Sequence, residues 1–212
     1  VWKLKDVNNA VSGGYWRTLG GSRFVVGGGF APGYSNVIDF SNVASAGNAA
    51  DFGDLTLAKG ENGCASNLTR AIWFGGNIAA DPNATNVIDY VSFASTGNAA
   101  DFGDLGAVAT RSTGVSGNAT RVVATEGNAD ADQLMFFNPT STGNTVDFGN
   151  LSQARNYVAG MTSPTRGVFA GGFSPTLRDT IDSVEIATLG NAIDFGNLVT
   201  ADRKGMSTSS ST

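Results

Sequence analysis

The chain has 212 residues, 29 of them glycine, with no histidine, one cysteine and 15% charged residues. Without histidine there is no Ser-His-Asp or Cys-His nucleophilic set and no histidine-bearing metal site, and a single cysteine forms neither an internal disulfide nor a cysteine-rich zinc site. A net charge of −5 argues against gripping nucleic acid by phosphate neutralisation, and no apolar run approaches the ~20 residues that span a bilayer.

Residues 1–22 do not repeat and form a leader or anchor segment. Its aromatics, Trp2, Tyr15 and Trp16, suit anchors into a partner, or a cap over the end of the domain that follows. Repetition starts at Arg23 with a period of about 45–50 residues. Each unit opens on an arginine and an apolar stretch: RFVVGGG at Arg23, RAIWFGG at Arg70, RVVATEG at Arg121 and RGVFAGG at Arg166. A variable loop follows: GFAPGYS (Gly29–Ser35), NIAADPNAT (Asn77–Thr85), NADA (Asn128–Ala131) or FSPTLR (Phe173–Arg178). Next comes an alternating stretch rich in β-formers, as in NVIDFSNVAS (Asn36–Ser45), NVIDYVSFAS (Asn86–Ser95), DQLMFFNPTS (Asp132–Ser141) and DTIDSVEIAT (Asp179–Thr188). Then stands GNAADFGDL at Gly47–Leu55 and Gly97–Leu105, GNTVDFGNL at Gly143–Leu151 and GNAIDFGNL at Gly190–Leu198. A stretch of small residues closes each unit, for example LSQARNYVAGMTSPT (Leu151–Thr165).

Short apolar or alternating runs with Gly, Asn and Asp at their junctions are meander signals, and no window carries a convincing helical period. The expected fold is all-β, with four short strands per unit and few helices. Four strands in a period of this length point to a β-propeller. Its units are 23–69, 70–120, 121–165 and 166–212.

The order of landmarks resembles the kelch repeat: a small-residue strand, an arginine, an apolar strand ending in Gly-Gly, an alternating strand, then an aromatic before a leucine. Gly27-Gly28, Gly75-Gly76 and Gly171-Gly172 match its double glycine, while Glu126-Gly127 departs from it. Phe52, Phe102, Phe148 and Phe195 stand where kelch repeats carry tryptophan. Tyr90 keeps the kelch tyrosine, which Phe40, Phe136 and Ser183 replace elsewhere. The pattern RGVFAGG…IDSVEIATLGNAIDFGNL…AR also looks like repeats in structural proteins of marine bacteriophages, and the opening VW-x-L…G-x-W of Val1–Trp16 resembles a segment of such virion proteins. These resemblances imply a kelch-like propeller displayed on a phage particle.

Two closures are expected alternatives. In the first, LVTADRKGMSTSSST (Leu198–Thr212) supplies the missing first strand of the blade begun at Arg23, closing four blades and removing both sheet edges. In the second, the chain is truncated, five or more blades exist, and residues 11–22 supply that strand.

The repeated polar positions invite two readings each. The DFG(D/N) aspartates offer oxygens at short spacing, as calcium sites do, but their number and spacing fit a tight turn better. Arg23, Arg70, Arg121 and Arg166 form either a basic ring round a channel or one structural pair per blade, with the DFG aspartates or a blade-edge carbonyl. Cys64, in a small-residue stretch, is expected to be buried. Asn67, Asn83 and Asn118 head Asn-x-Thr sequons that carry no weight in a phage-like protein. No cofactor and no metal are expected.

Individuality resides in the leader and the variable loops, where binding is ordinarily carried on a rigid scaffold. The candidate contact residues are Trp2, Tyr15, Trp16, Tyr34, Asn77, Asp81, Asn83, Phe173 and Arg178. The expected function is a non-enzymatic structural component of a virion: a decoration, fibre or tail protein, oligomeric on the particle surface. Its partners would be capsid or tail proteins, with a host glycan or receptor as a further partner. Nucleic-acid binding and membrane insertion are not expected. A receptor- or glycan-binding module is the alternative; a polysaccharide-cleaving enzyme working through carboxylates alone is the weakest, because no asymmetric carboxylate pair stands out.

Overall fold

The computed structural model describes residues 23–30, 32–80, 83–109, 115–126 and 131–203. Among these residues every regular element is a strand, and there are fifteen. They form four antiparallel sheets, each a sequential meander. Sheet 1 holds β1 (Arg23–Gly27), β2 (Val37–Asn42) and β3 (Ala50–Asp54). Sheet 2 holds β4 (Gly63–Ser66), β5 (Arg70–Phe74), β6 (Thr85–Ser92) and β7 (Ala100–Ala109). Sheet 3 holds β8 (Val115–Gly117), β9 (Val122–Thr125), β10 (Gln133–Phe137) and β11 (Val146–Asn150). Sheet 4 holds β12 (Ala159–Thr162), β13 (Arg166–Ala170), β14 (Arg178–Glu185) and β15 (Ile193–Asp202). The arrangement is consistent with a β-propeller. The sheets are offset by one strand from the sequence units, since the small-residue strand that ends one unit pairs with the arginine strand of the next.

β5 and β9 are apolar on both faces because each lies mid-sheet between two neighbouring sheets; Ile72, Phe74, Val122 and Val123 are all buried. Three clusters fill the spaces between successive sheets. Ile38, Phe52 and Trp73 join sheets 1 and 2, and Phe74, Phe102 and Phe137 join sheets 2 and 3. Leu134, Phe148 and Phe169 join sheets 3 and 4. The first strands carry small residues because they approach one another: a Cβ on Gly160 of β12 would strike the backbone of Val115 in β8.

Two expectations concerning the first strand of sheet 1 can be placed. Leu198–Asp202, the opening of the segment expected to fill it, instead continues β15 and pairs with β14, Asp202 opposite Arg178. Residues 204–212 and the alternative donor 11–22 lie outside the described residues. Among the described residues, β1 pairs only with β2. A groove of about 550 Å³ runs along it, lined by Phe24, Val26, Cys64, Trp73 and Phe93 among others. Cys64 is therefore exposed rather than buried: it lines that groove beside β1.

Candidate functional site

The repeated residues are used up in the junctions between sheets. The turn after Phe52 shows how. Gly97 donates from its amide to the Phe52 carbonyl at 2.7 Å, and Ala99 to the Asp54 carbonyl at 2.7 Å. In return, Asn98 Oδ1 accepts the Asp54 amide at 3.1 Å. The same three bonds recur between sheets 2 and 3, where Gly143 and Thr145 donate to the Phe102 and Asp104 carbonyls at 2.7 and 2.9 Å and Asn144 accepts from Asp104 at 3.0 Å. They recur between sheets 3 and 4, where Gly190 and Ala192 donate to the Phe148 and Asn150 carbonyls at 2.9 and 2.7 Å and Asn191 accepts from Asn150 at 3.1 Å. So tight an approach demands glycine: a Cβ on Gly53 or Gly103 would lie 2.5 Å from the carbonyl of the incoming Gly97 or Gly143. Those two glycines hold φ of +147° and +143°, which L side chains rarely adopt.

In three of the four DFG turns the aspartate serves the turn itself. Asp101, Asp147 and Asp194 accept the amides of Gly103, Gly149 and Gly196, each two residues on, at 3.0, 3.2 and 3.1 Å. Among the described residues no group of three or more His, Cys, Asp or Glu side chains could hold a metal ion.

The unit arginines bridge adjacent sheets through carbonyls. Nη1 of Arg23 donates to the Phe93 carbonyl at 2.8 Å, Arg70 to Pro139 at 3.5 Å and Arg121 to Ile186 at 2.7 Å. Each guanidinium also stacks on an aromatic of its own sheet: Arg23 on Phe40 at 4.9 Å, Arg70 on Tyr90 at 4.7 Å and Arg121 on Phe136 at 4.6 Å. Those aromatics in turn meet the DFG phenylalanines edge to face, in the pairs Phe40–Phe52, Tyr90–Phe102 and Phe136–Phe148. In sheet 4, Ser183 replaces the aromatic, and Arg166 pairs instead with the exposed Glu185 at 3.0 Å.

Two buried ion pairs went unread in the sequence. Lys59 Nζ meets Asp89 at 2.8 Å and Arg155 Nη1 meets Asp182 at 2.9 Å, with all four side chains at 0% exposure. Each acid is also bonded by a hydroxyl, from Thr56 or from Ser152, the latter at 2.6 Å. Burial pulls the Lys59 ammonium and the Arg155 guanidinium below their ordinary pKa values, opposed by the facing aspartates. Both cations reach from the end of one sheet into the IDY or TID stretch of the next. Between sheets 2 and 3 the set is replaced as a whole: Met135 takes the aspartate position, and Gly106 takes that of the hydroxyl residue, its Cβ direction 3.4 Å from the Met135 sulfur. The shared pattern Leu-(Ser/Thr)-x-Ala-(Lys/Arg) in LTLAK and LSQAR was the available signal.

Two of the three sequons, those at Asn67 and Asn118, are turn devices. Asn67 Oδ1 accepts the amides of Thr69 and Arg70, each at 2.8 Å, and Asn118 does the same for Thr120 and Arg121, each at 3.0 Å. The Asn118 amide group donates to the Pro164 carbonyl across the junction at 3.0 Å.

The expected contact residues divide into two groups. Trp2, Tyr15, Trp16 and Asp81 lie outside the described residues. At the loop end of sheets 1 and 2, Tyr34 stacks edge to face on Phe30 with centroids 5.1 Å apart, and Phe30 is 68% exposed. Asn77 belongs to the same end: its backbone bridges Gly60, whose Cβ direction meets Tyr34, and its side chain donates to Glu61 at 3.2 Å. Asn83 holds a left-handed φ of +36° in the loop after Gly76. On sheet 4, Phe173 bridges Asn156 and lies under Arg203 at 4.6 Å, while Arg178 donates from Nε to the Ser174 carbonyl at 3.1 Å. Tyr34 and Asn77 thus share one patch, and Phe173 and Arg178 share another.

No protein-family model matches the chain, and no curated protein matches it.

Proposed function

We propose that this chain is a non-enzymatic structural component of a bacteriophage virion, a kelch-like propeller whose work is assembly and surface contact. The observation that carries the reading is where the repeated residues go. Asp101, Asp147 and Asp194 hold their own turns, Arg23, Arg70, Arg121 and three Gly-Asn turns lock sheet to sheet, and the Lys59–Asp89 and Arg155–Asp182 pairs are closed to solvent. Nothing in that set is left to act on a substrate, and the exposed loop aromatics remain as contact surface. The resemblance of the repeats to marine phage structural proteins supplies the virion, with capsid or tail proteins as partners. Mass spectrometry of purified particles, followed by a particle reconstruction, tests it. The chain should co-purify at stoichiometric copy number and account for sheet density on the particle surface; its absence from washed particles would overturn the assignment.

A host-glycan or receptor-binding module is the second reading. The Phe30–Tyr34 pair beside Asn77 favours it, since an exposed aromatic face next to an amide suits a sugar ring. Binding of the isolated protein to host surface glycans, lost in Phe30→Ala, would support this use of the same scaffold.

A further inference from the structure

The three internal junctions define what a sheet expects on either side, and the two outer sheets each lack half of it. On sheet 4, Phe195 is 55% exposed where Phe52, Phe102 and Phe148 are each 2% exposed. A Cβ on Gly196 would meet nothing within 4 Å, although its φ of +142° repeats that of Gly103 and Gly149. Ile193 and Val199 of β15 are also exposed. On sheet 1, Phe24 and Val26 are exposed where the matching Ala71 and Trp73 of sheet 2 are buried. Asp39 is exposed where its counterparts Asp89 and Asp182 are sealed in ion pairs.

These faces are complementary. Sheet 4 presents an empty DFGN turn, and sheet 1 presents an unused Gly47-Asn48-Ala49 turn. Arg166, which faces no neighbouring sheet among the described residues, stands where Arg121 reaches the carbonyl of Ile186; its equivalent target on sheet 1 is the carbonyl of Val43. The hydrogen bonds among the described residues link sheets 1 to 2, 2 to 3 and 3 to 4, and none links 4 to 1. Equivalent junctions impose equivalent rotations, and since sheets 4 and 1 do not meet among the described residues, the open face of sheet 4 is complemented by a sheet of the same kind as sheet 1.

We propose that the open face of sheet 4 is an interaction surface for sheet 1 of a second copy of this chain. The copies associate head to tail through a fourth Gly-Asn junction: Gly47 and Ala49 donate to the carbonyls of Phe195 and Asn197, and Asn48 accepts the amide of Asn197. This inference rests on the three internal junctions and stands independently of the virion assignment.

Oxidative cross-linking of the full chain tests it. Asn48→Cys and Asn197→Cys are placed together in a Cys64→Ser background, and Asp54→Cys with Asn98→Cys is the control at an occupied junction. The expected result is covalent dimers and larger species on non-reducing denaturing gels, with their yield falling on dilution. Uncross-linked protein should show a concentration-dependent mass by light scattering that Phe195→Asp returns to monomer. A monomer carrying an internal disulfide would overturn the proposal by showing that sheet 4 closes on its own sheet 1. Absence of any cross-link while the control pair forms would overturn it equally.

Discussion

The junction between sheets 2 and 3 and those on either side of it solve one geometric problem with different chemistry. At the flanking junctions, a buried cation, an aspartate and a hydroxyl meet at 0% exposure for both charged groups. At the middle junction, Met135 fills the same space against Gly106. The backbone bonds of the Gly-Asn turn are the same in all three. The difference teaches that the turn, not the ion pair, defines the junction. A desolvated ion pair and a well-packed thioether can be nearly equivalent in net energy, because Coulomb attraction is offset by the cost of removing both charges from water. Breaking such a pair on one side is a different matter, since a lone buried charge is severely penalised.

The largest expected effect breaks one pair on one side. Asp182→Ala leaves Arg155 buried without a counter-charge and should cost about 3–5 kcal/mol, read by urea or thermal unfolding. A loss below about 1 kcal/mol would mean that Arg155 escapes to solvent. Next comes the turn. Gly103→Ala must take up a left-handed φ and push back the Gly143 carbonyl, and should cost about 2–3 kcal/mol; Gly196→Ala in the monomer carries only the backbone strain, about 1 kcal/mol. Equal losses at the two positions would show that the sheet 4 turn is occupied. A smaller effect is expected from converting one junction type into the other. Thr56→Gly, Lys59→Ala and Asp89→Met together should change stability by no more than about 1 kcal/mol, whereas Asp89→Met alone should be far worse. If the triple variant is as damaged as the single one, the two junction types are not interchangeable. The smallest effect is expected at Arg166→Ala, which removes an exposed ion pair to Glu185 and should cost less than about 1 kcal/mol in the monomer. Arg121→Ala, which removes a bond to the next sheet, should exceed it in the same melting assay.

Much of this was legible in the sequence. Period-two apolar stretches with glycine at their ends can bury their side chains only as strands, and a repeat of four such stretches can only stack like units. The repeated beat of Gly-Asn and Phe-Gly marked the turns. The charged clamps were not legible, although their residues were in plain view. Lys59 and Asp89 lie on different sheets, and nothing local to LTLAK says that its lysine is dry. Likewise, Asn67-Leu68-Thr69 looks like a sequon until the Asn67 side chain is seen closing its own turn. Cys64 misled for the converse reason: a small-residue strand is buried only if another strand covers it, and β1 leaves a groove there.

The amino-acid sequence alone determined the all-β character, the turn positions and the exclusion of histidine- and cysteine-based chemistry, because these depend on local backbone preference and on which side chains exist. Only the tertiary structure decided which strand joins which sheet, which charges are desolvated, and which faces at the two ends of the array stay open. Those outcomes depend on distances between residues far apart in the chain, and a repeat presents the same residues whether its neighbour is there or not.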